Sequence, residues 1–328
     1  MMANMNKRVP VLDIQGLSVE FKTRSGIVHA LEHVSFDVFK GEMVGIVGES
    51  GSGKSVSALT ALGILDEAGR VTAGSITLGG LDILKAKRRE LQAMRGSEAS
   101  MIFQSPRTAL NPIRTVGKQI GDVLRRHGFA TRSNMKEKVV DALKTVRIPD
   151  PERRAEAYPF ELSGGMCQRI MIAMALSCQP ELLIADEPTT GLDVTTQAAI
   201  MDLIKDLARE RNMATLLITH DLAMAADYCD RIVVMHAGHV VERAASDVLF
   251  ESPRHPYTQK LMKATPRNSG TLDDISSIDG GVPDLRRDDL PACRFSARCD
   301  RYDSSCDPAP LLLDILEEAH AVACRRPL

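Results

Sequence analysis

The sequence predicts an α/β fold in three parts: a strand-rich core, a helical subdomain inserted into it, and a small cysteine-rich C-terminal extension. Three observations predict it. The stretch "MVGIVGESGSGKSVSALTALGIL" passes from an apolar β-branched run through a glycine-rich turn into helix-prone text. From about Thr115 to Leu162 the apolar residues fall at helical spacing among charged ones. Four of the seven cysteines crowd into the last 36 residues.

Each part follows in chain order. From Val11 to about Ser97, short β-branched runs alternate with loops and one amphipathic helix. Val116, Ile120, Val123 and Leu124, then Val139, Leu143 and Val146, recur at helical spacing and define the insertion, placed at about residues 98–178. The core resumes in "ELLIADEPT" and "TLLITHD", apolar runs that end in acidic or histidine chemistry, as buried parallel strands deliver polar groups to a site. "RIVVMHAGHVVE" reads as a hairpin turning at Ala237-Gly238, and "RNSGTLDDISSIDGGVPD" as a linker or surface loop. Residues 1–250 form the core domain in this reading, and 251–328 the extension.

Composition narrows the function classes. The chain has 328 residues, long enough for two or three subdomains. With 41 basic against 43 acidic side chains and a net charge of −2, nothing points to nucleic acid. No apolar run approaches 18 residues, so no membrane span is expected. "MMANMNKRVP" lacks the apolar centre of a secretion signal. A reducing compartment is therefore expected, with the cysteines as thiols or metal ligands.

"GESGSGKS", Gly48 to Ser55, fits G-x-x-x-x-G-K-S/T with a strand before it and a helix after it. Gly48, Glu49, Ser50, Gly51, Ser52 and Gly53 would wrap backbone N–H groups round a phosphate chain, with Val56 just inside the helix. Lys54 would reach the β- and γ-phosphates, and Ser55 would ligate Mg²⁺. Asp186 at the end of "LLIAD" would hold the outer Mg²⁺ shell, and Glu187 would orient or deprotonate an attacking water. His220, after "TLLIT", would contact the γ-phosphate. A second anion site lies in "ELSGGMCQRI", where Ser163, Gly164, Gly165 and Met166 open another helix.

In this order, "GESGSGKS", Gln104 in "MIFQSP", "LSGGM", "LIADEPT", "GLDVT" and His220 resemble an ATP-binding cassette (ABC) subunit over roughly Val11 to Ala245. The resemblance implies that the Ser-Gly-Gly segment closes over the nucleotide of a partner cassette, so that two chains sandwich two ATP molecules. It makes Phe21 the adenine-stacking residue, a strand-core phenylalanine being the alternative. It gives Gln104 a place on Mg²⁺ and Asp193 one at the dimer interface. Met166 stands where the family usually has glutamine, a variant common among peptide importers.

"QSPRTALNPIRTVGKQI" and "ESPRHPYTQKLMKATP" resemble the oligopeptide and dipeptide (peptide/nickel) importer cassettes. The implied protein is an ATP-hydrolysing translocase subunit, peripheral on the cytoplasmic face of the inner membrane. Its partners would be a second cassette (a paralogue or a copy of itself), two permeases and, through them, an extracytoplasmic solute-binding protein. Nickel or glutathione import is the alternative cargo, and a soluble ABC ATPase the alternative class.

The late cysteines, Cys293, Cys299, Cys306 and Cys324, are spaced C-x5-C-x6-C-x17-C. Clustered thiols in a reducing compartment point to all-thiolate ligation of a metal. The absence of C-x2-C favours a 4Fe-4S cluster over Zn²⁺, with small buried hydrophobes as the bland reading. Cys167, Cys178 and Cys229 read as structural; Cys167, beside the Ser-Gly-Gly segment, has a second reading as a reactive thiol.

Overall fold

A computed structural model describes residues 8–265, 277–317 and 320–328. Most of the linker expected at 267–284 lies outside the described residues. The chain divides into two units, one of Met1–Lys85 with Leu217–Leu328, the other of Ala86–Leu216.

The first unit opens with β1 (Leu12–Thr23), β2 (Gly26–Val38), β3 (Met43–Val47), α1 (Lys54–Ala61), β4 (Gly69–Leu78) and β5 (Leu81–Asp82). β1 alternates buried with exposed residues and pairs antiparallel with β2 and β4, giving a four-stranded sheet ordered β2-β1-β4-β5. One polar face and one apolar face suit such a sheet to half-burial. β3 is different. All five of its residues are buried, as a parallel strand covered on both faces requires.

The second unit contains α2 (Arg88–Met94), β6 (Ala99–Ile102), α3 (Pro106–Ala109), α4 (Val116–Arg126), α5 (Met135–Thr145), α6 (Pro151–Ala155), α7 (Gly164–Leu176), β7 (Leu182–Asp186) and α8 (Val194–Glu210). β8 (Ala214–Thr219) begins here and ends in the first unit. Val116, Ile120 and Leu124 bury one stripe of α4, and Val139, Val140 and Leu143 one stripe of α5. Val123, expected on the stripe, is only half-buried. β6 follows the expected start of the helical subdomain, at about residue 98; its four residues are too few to show a period, and it pairs parallel with β7.

The rest of the first unit comprises α9 (Leu222–Tyr228), β9 (Arg231–His236), β10 (His239–Ala245), α10 (Ser246–Glu251), α11 (Pro256–Lys263), β11 (Asp314–Glu317) and β12 (His320–Val322). β9 runs parallel to β3, and the sheet continues as β10, β12 and β11. The turn between β9 and β10 is the expected two-residue one, with positive φ at Ala237 (47°) and Gly238 (86°), the type I′ geometry that matches strand twist.

The extension packs into this unit and adds two strands to it. Its anchors are polar. Glu242, fully buried on β10, accepts from the backbone N–H of Arg254 and of His255, and pairs with His320 Nε2 at 2.8 Å. Arg294, 5% exposed, donates to the carbonyl of Ala237 and pairs with Glu32 on β2. Buried charges hold only when partnered in this way.

Candidate functional site

In the first unit, β3 delivers the chain into the glycine-rich loop. Gly48, Gly51 and Gly53 take φ of +154°, +80° and +99°. At Gly48 a side chain has no room: a Cβ would lie 2.1 Å from the carbonyl oxygen of Met235. The loop is latched from outside, since Gly238 N–H donates to Ser52 O at 3.0 Å. Lys54, buried at the start of α1, donates its Nζ to the carbonyls of Gly48 (2.7 Å) and Glu49 (2.9 Å). Curled backbone and a helix N-terminus with a tethered ammonium make an anion cradle. Ser55 and Ser50 are exposed beside it, Ser52 is buried and Val56 half-buried. Phe21 lies half-buried near the end of β1, opposite Val28 and Gly69. His220 follows β8 and is exposed.

Glu49 is the one acidic residue of the loop. Arg298 forks onto its carboxylate with both contacts at 2.8 Å, and His236 Nδ1 lies 3.5 Å away. The Arg298 hydrogen bonds first, then the nearby His236 ring, hold the carboxyl down at about 2 against the opposing effect of burial. The Glu49 N–H donates to the Tyr257 hydroxyl at 3.0 Å.

In the second unit, β6 and β7 are in parallel register with Ile102 opposite Ala185. Gln104 and Glu187 each follow two residues later and so arrive at one level. Gln104 Nε2 donates to Glu187 Oε2 at 2.8 Å, and Thr190 Oγ1 donates to the same oxygen at 3.0 Å. Glu187 holds a left-handed φ of 45°, a conformation that costs a non-glycine residue about 1 kcal/mol or more. Asp186, the last residue of β7, is 8% exposed.

The Ser-Gly-Gly segment caps α7: Ser163 Oγ accepts from Met166 N–H at 3.3 Å. Asp193 caps α8, accepting from Thr196 N–H at 3.0 Å and Oγ1 at 2.7 Å, and these bonds lower its carboxyl below the ordinary value. The two helix starts lie together, because a Cβ on Gly165 would be 3.0 Å from Thr196 Cγ2. Cys167, one turn in, is buried and donates its thiol to Pro159 O. Burial pushes that thiol up, which corrects the reading of Cys167 as a reactive nucleophile, since reactivity needs the thiolate.

Cys293, Cys299, Cys306 and Cys324 line one small cavity together with His255. Burial, aided by repulsion from the other three thiols, pushes Cys293 up to about 11. Among the described residues, however, no group of three or more His, Cys, Asp or Glu side chains has metal-holding geometry. The expected iron-sulfur site is therefore a convergence of thiols and not an assembled ligand set. Sequence reasoning missed Arg294, Arg298, His236 and Tyr257. The only signal was the pair of arginines in "CRFSARC", both of which are buried together with Phe295.

A phosphate loop on a parallel sheet, an acidic pair at a strand end and a Ser-Gly-Gly helix start define an ATP-binding cassette. The chain belongs to the ABC transporter family of ATP-binding proteins. The family model "ABC transporter" matches residues 31–190, and "Oligopeptide/dipeptide transporter, C-terminal region" matches residues 241–306. The dipeptide transport ATP-binding protein DppD of Escherichia coli (strain K12) is 44% identical over 318 residues, 97% of each chain. The probable peptide ABC transporter ATP-binding protein y4tR of Sinorhizobium fredii is 45% identical, covering 96% of this chain and 95% of the relative. Among solved structures, the dimeric ATP-binding cassette MJ0796 bound to ADP and Pi matches with a TM-score of 0.64 and 28% identity, over 72% of this chain and 98% of that one. The protein thus binds and hydrolyses ATP. No helix among the described residues is long and apolar enough to cross a membrane.

Proposed function

We propose that this chain is the ATP-hydrolysing subunit of a peptide importer, docked peripherally on the cytoplasmic face of the inner membrane against two permeases fed by a solute-binding protein. The observation that carries the reading is 44% identity to a dipeptide transport ATP-binding protein along 97% of both chains. Nickel or glutathione importers remain the alternative cargo class of the same architecture.

The residue roles follow from chemistry. Lys54 and the amides of Gly48 to Ser55 hold the phosphates, and Phe21 faces the adenine. Ser55, Gln104 and Asp186 supply hydroxyl, amide and carboxylate oxygens, the hard donor set that suits Mg²⁺. When bound, Mg²⁺ neutralises charge on the β- and γ-phosphates. Glu187, pinned by Gln104 and Thr190, accepts a proton from water as that water's oxygen bonds to the γ-phosphorus. The bond to the ADP oxygen breaks, and His220 contacts the departing phosphate. Ser163 to Met166, with Asp193, face the nucleotide of a second cassette, so each pocket is completed in trans and shielded from water. Membranes from cells expressing the tagged chain should yield permease subunits with it, and ATP turnover in that complex should rise when peptide-loaded binding protein is added. Isolation of the chain alone from such membranes would count against the reading.

For the extension, we propose that the four thiols ligate a 4Fe-4S cluster, with Zn²⁺ as the rival. Their convergence on one cavity supports it, and ligation requires them to close further than they stand. Anaerobically purified protein should absorb near about 400 nm; a colourless sample carrying one zinc per chain would favour the rival.

A further inference from the structure

The cysteine-bearing extension reaches the phosphate loop at Glu49 through two side chains, the Tyr257 hydroxyl, which takes the backbone N–H, and Arg298, which takes the carboxylate. Arg298 lies on the one-turn helix Ser296–Arg298, between Cys293 and Cys299, and its side chain is 5% exposed. Both terminal nitrogens donate to Glu49, each at 2.8 Å, and Nε donates to Asp279 O at 3.0 Å. The guanidinium rests over Phe295, 5.6 Å from the ring centre. Phe295 in turn packs edge-on against His236 and Tyr257, the two other residues that face Glu49. Lys260, from α11, fixes the end of the helix by donating to Arg298 O at 2.8 Å.

Glu49 is an odd residue for its place. It follows Gly48 at the start of an anion cradle, and its own carbonyl is one of the two that tether Lys54. A free carboxylate there would repel a triphosphate, and in a partly buried setting such repulsion between nearby charges is far stronger than in water. A bidentate guanidinium is the strongest side-chain device for cancelling it, and its planar fork also fixes orientation.

We infer that Arg298 is a positioning residue for nucleotide binding: it neutralises Glu49 and holds the loop in shape, so affinity for ATP depends on the folded extension. The inference rests on the ATP-binding reading of the loop. A residue that only anchored the extension would leave affinity unchanged when replaced, or would lower it in a way that no change at Glu49 could repair.

The experiment titrates the full chain with a fluorescent ATP analogue and Mg²⁺, then measures KM and kcat. Arg298→Ala should weaken binding and raise KM about tenfold or more, with kcat within about twofold, the split expected when uniform binding is lost. Arg298→Lys, which keeps the charge but loses the fork, should fall between, at about threefold. The double variant Arg298→Ala, Glu49→Gln should return to within about threefold of wild type, because the uncancelled charge is gone. Wild-type affinity in Arg298→Ala overturns the inference, and so does a double variant as weak as the single one. Should Arg298→Ala not fold, Arg298→Lys decides: unchanged KM overturns. Wild-type protein that fails to bind the analogue defeats the ATP reading itself, an outcome separate from all of these.

Discussion

Glu187→Gln should stop ATP turnover, lowering kcat by at least about 10²-fold, the low end of what a positioned general base contributes. It should leave MgATP binding within a few-fold of wild type. The two effects separate because the substitution is nearly isosteric. Glutamine at 187 still offers an oxygen to the Gln104 amide and the Thr190 hydroxyl that now converge on Glu187 Oε2, so the strand end keeps its shape. What disappears is a basic oxygen able to take a proton from water. In the proposed site the phosphates are gripped elsewhere, by Lys54 and the loop amides, so binding should survive. Phosphate release measured beside titration with a fluorescent ATP analogue checks both halves. Light scattering adds a third reading, because unhydrolysed ATP should hold two cassettes together. Turnover at the wild-type rate would remove Glu187 from the role of base.

The residues of that prediction show what could be read from the chain and what could not. Glu187, Lys54 and Ser163 were legible because each sits in a contiguous motif whose chemistry is local: a glycine loop, an apolar strand ending in acid, a capped helix start. The hairpin at Ala237-Gly238 was legible for the same reason. The bond from Gln104 to Glu187 was not, since it depends on the parallel register of β6 and β7 across 83 positions. The strand β6 itself was lost because four residues carry no period. In the extension the thiols announced themselves, while Arg294 and Arg298 did not. Their partners, Glu32 and Glu49, lie 262 and 249 positions away, and only the folded sheet decides which carboxylate meets which arginine. β11 and β12 were equally hidden, being short strands that gain their place from pairing, β12 with β10 and β11 with β12, and not from their own alternation.

Gly48→Ala should be among the most damaging single-methyl changes in the molecule, and Gly51→Ala, three residues on, should be mild. Both glycines have positive φ, so both substitutions carry the backbone cost of the left-handed region, about 1 kcal/mol or somewhat more. Space separates them. Around Gly51 nothing lies within 4 Å of the added Cβ, whereas at Gly48 the methyl would stand 2.1 Å from Met235 O and 2.9 Å from Ser52 Oγ. Met235 belongs to β9, which is hydrogen-bonded in register with β3, Val47 opposite Val234. Neither strand can yield without breaking the parallel pairing that launches the loop. The loop must therefore lift, and its carbonyls are the ones that hold Lys54. Nucleotide affinity should drop by about 10²-fold or more, the range reached when several kcal/mol of preorganised binding is lost, together with a lowered thermal midpoint. Gly51→Ala should lose less than about tenfold in affinity, in line with a backbone cost near 1 kcal/mol. Equal losses at the two positions would mean that φ alone sets the cost, and that the close approach of Met235 gives way more easily than a sheet carbonyl should.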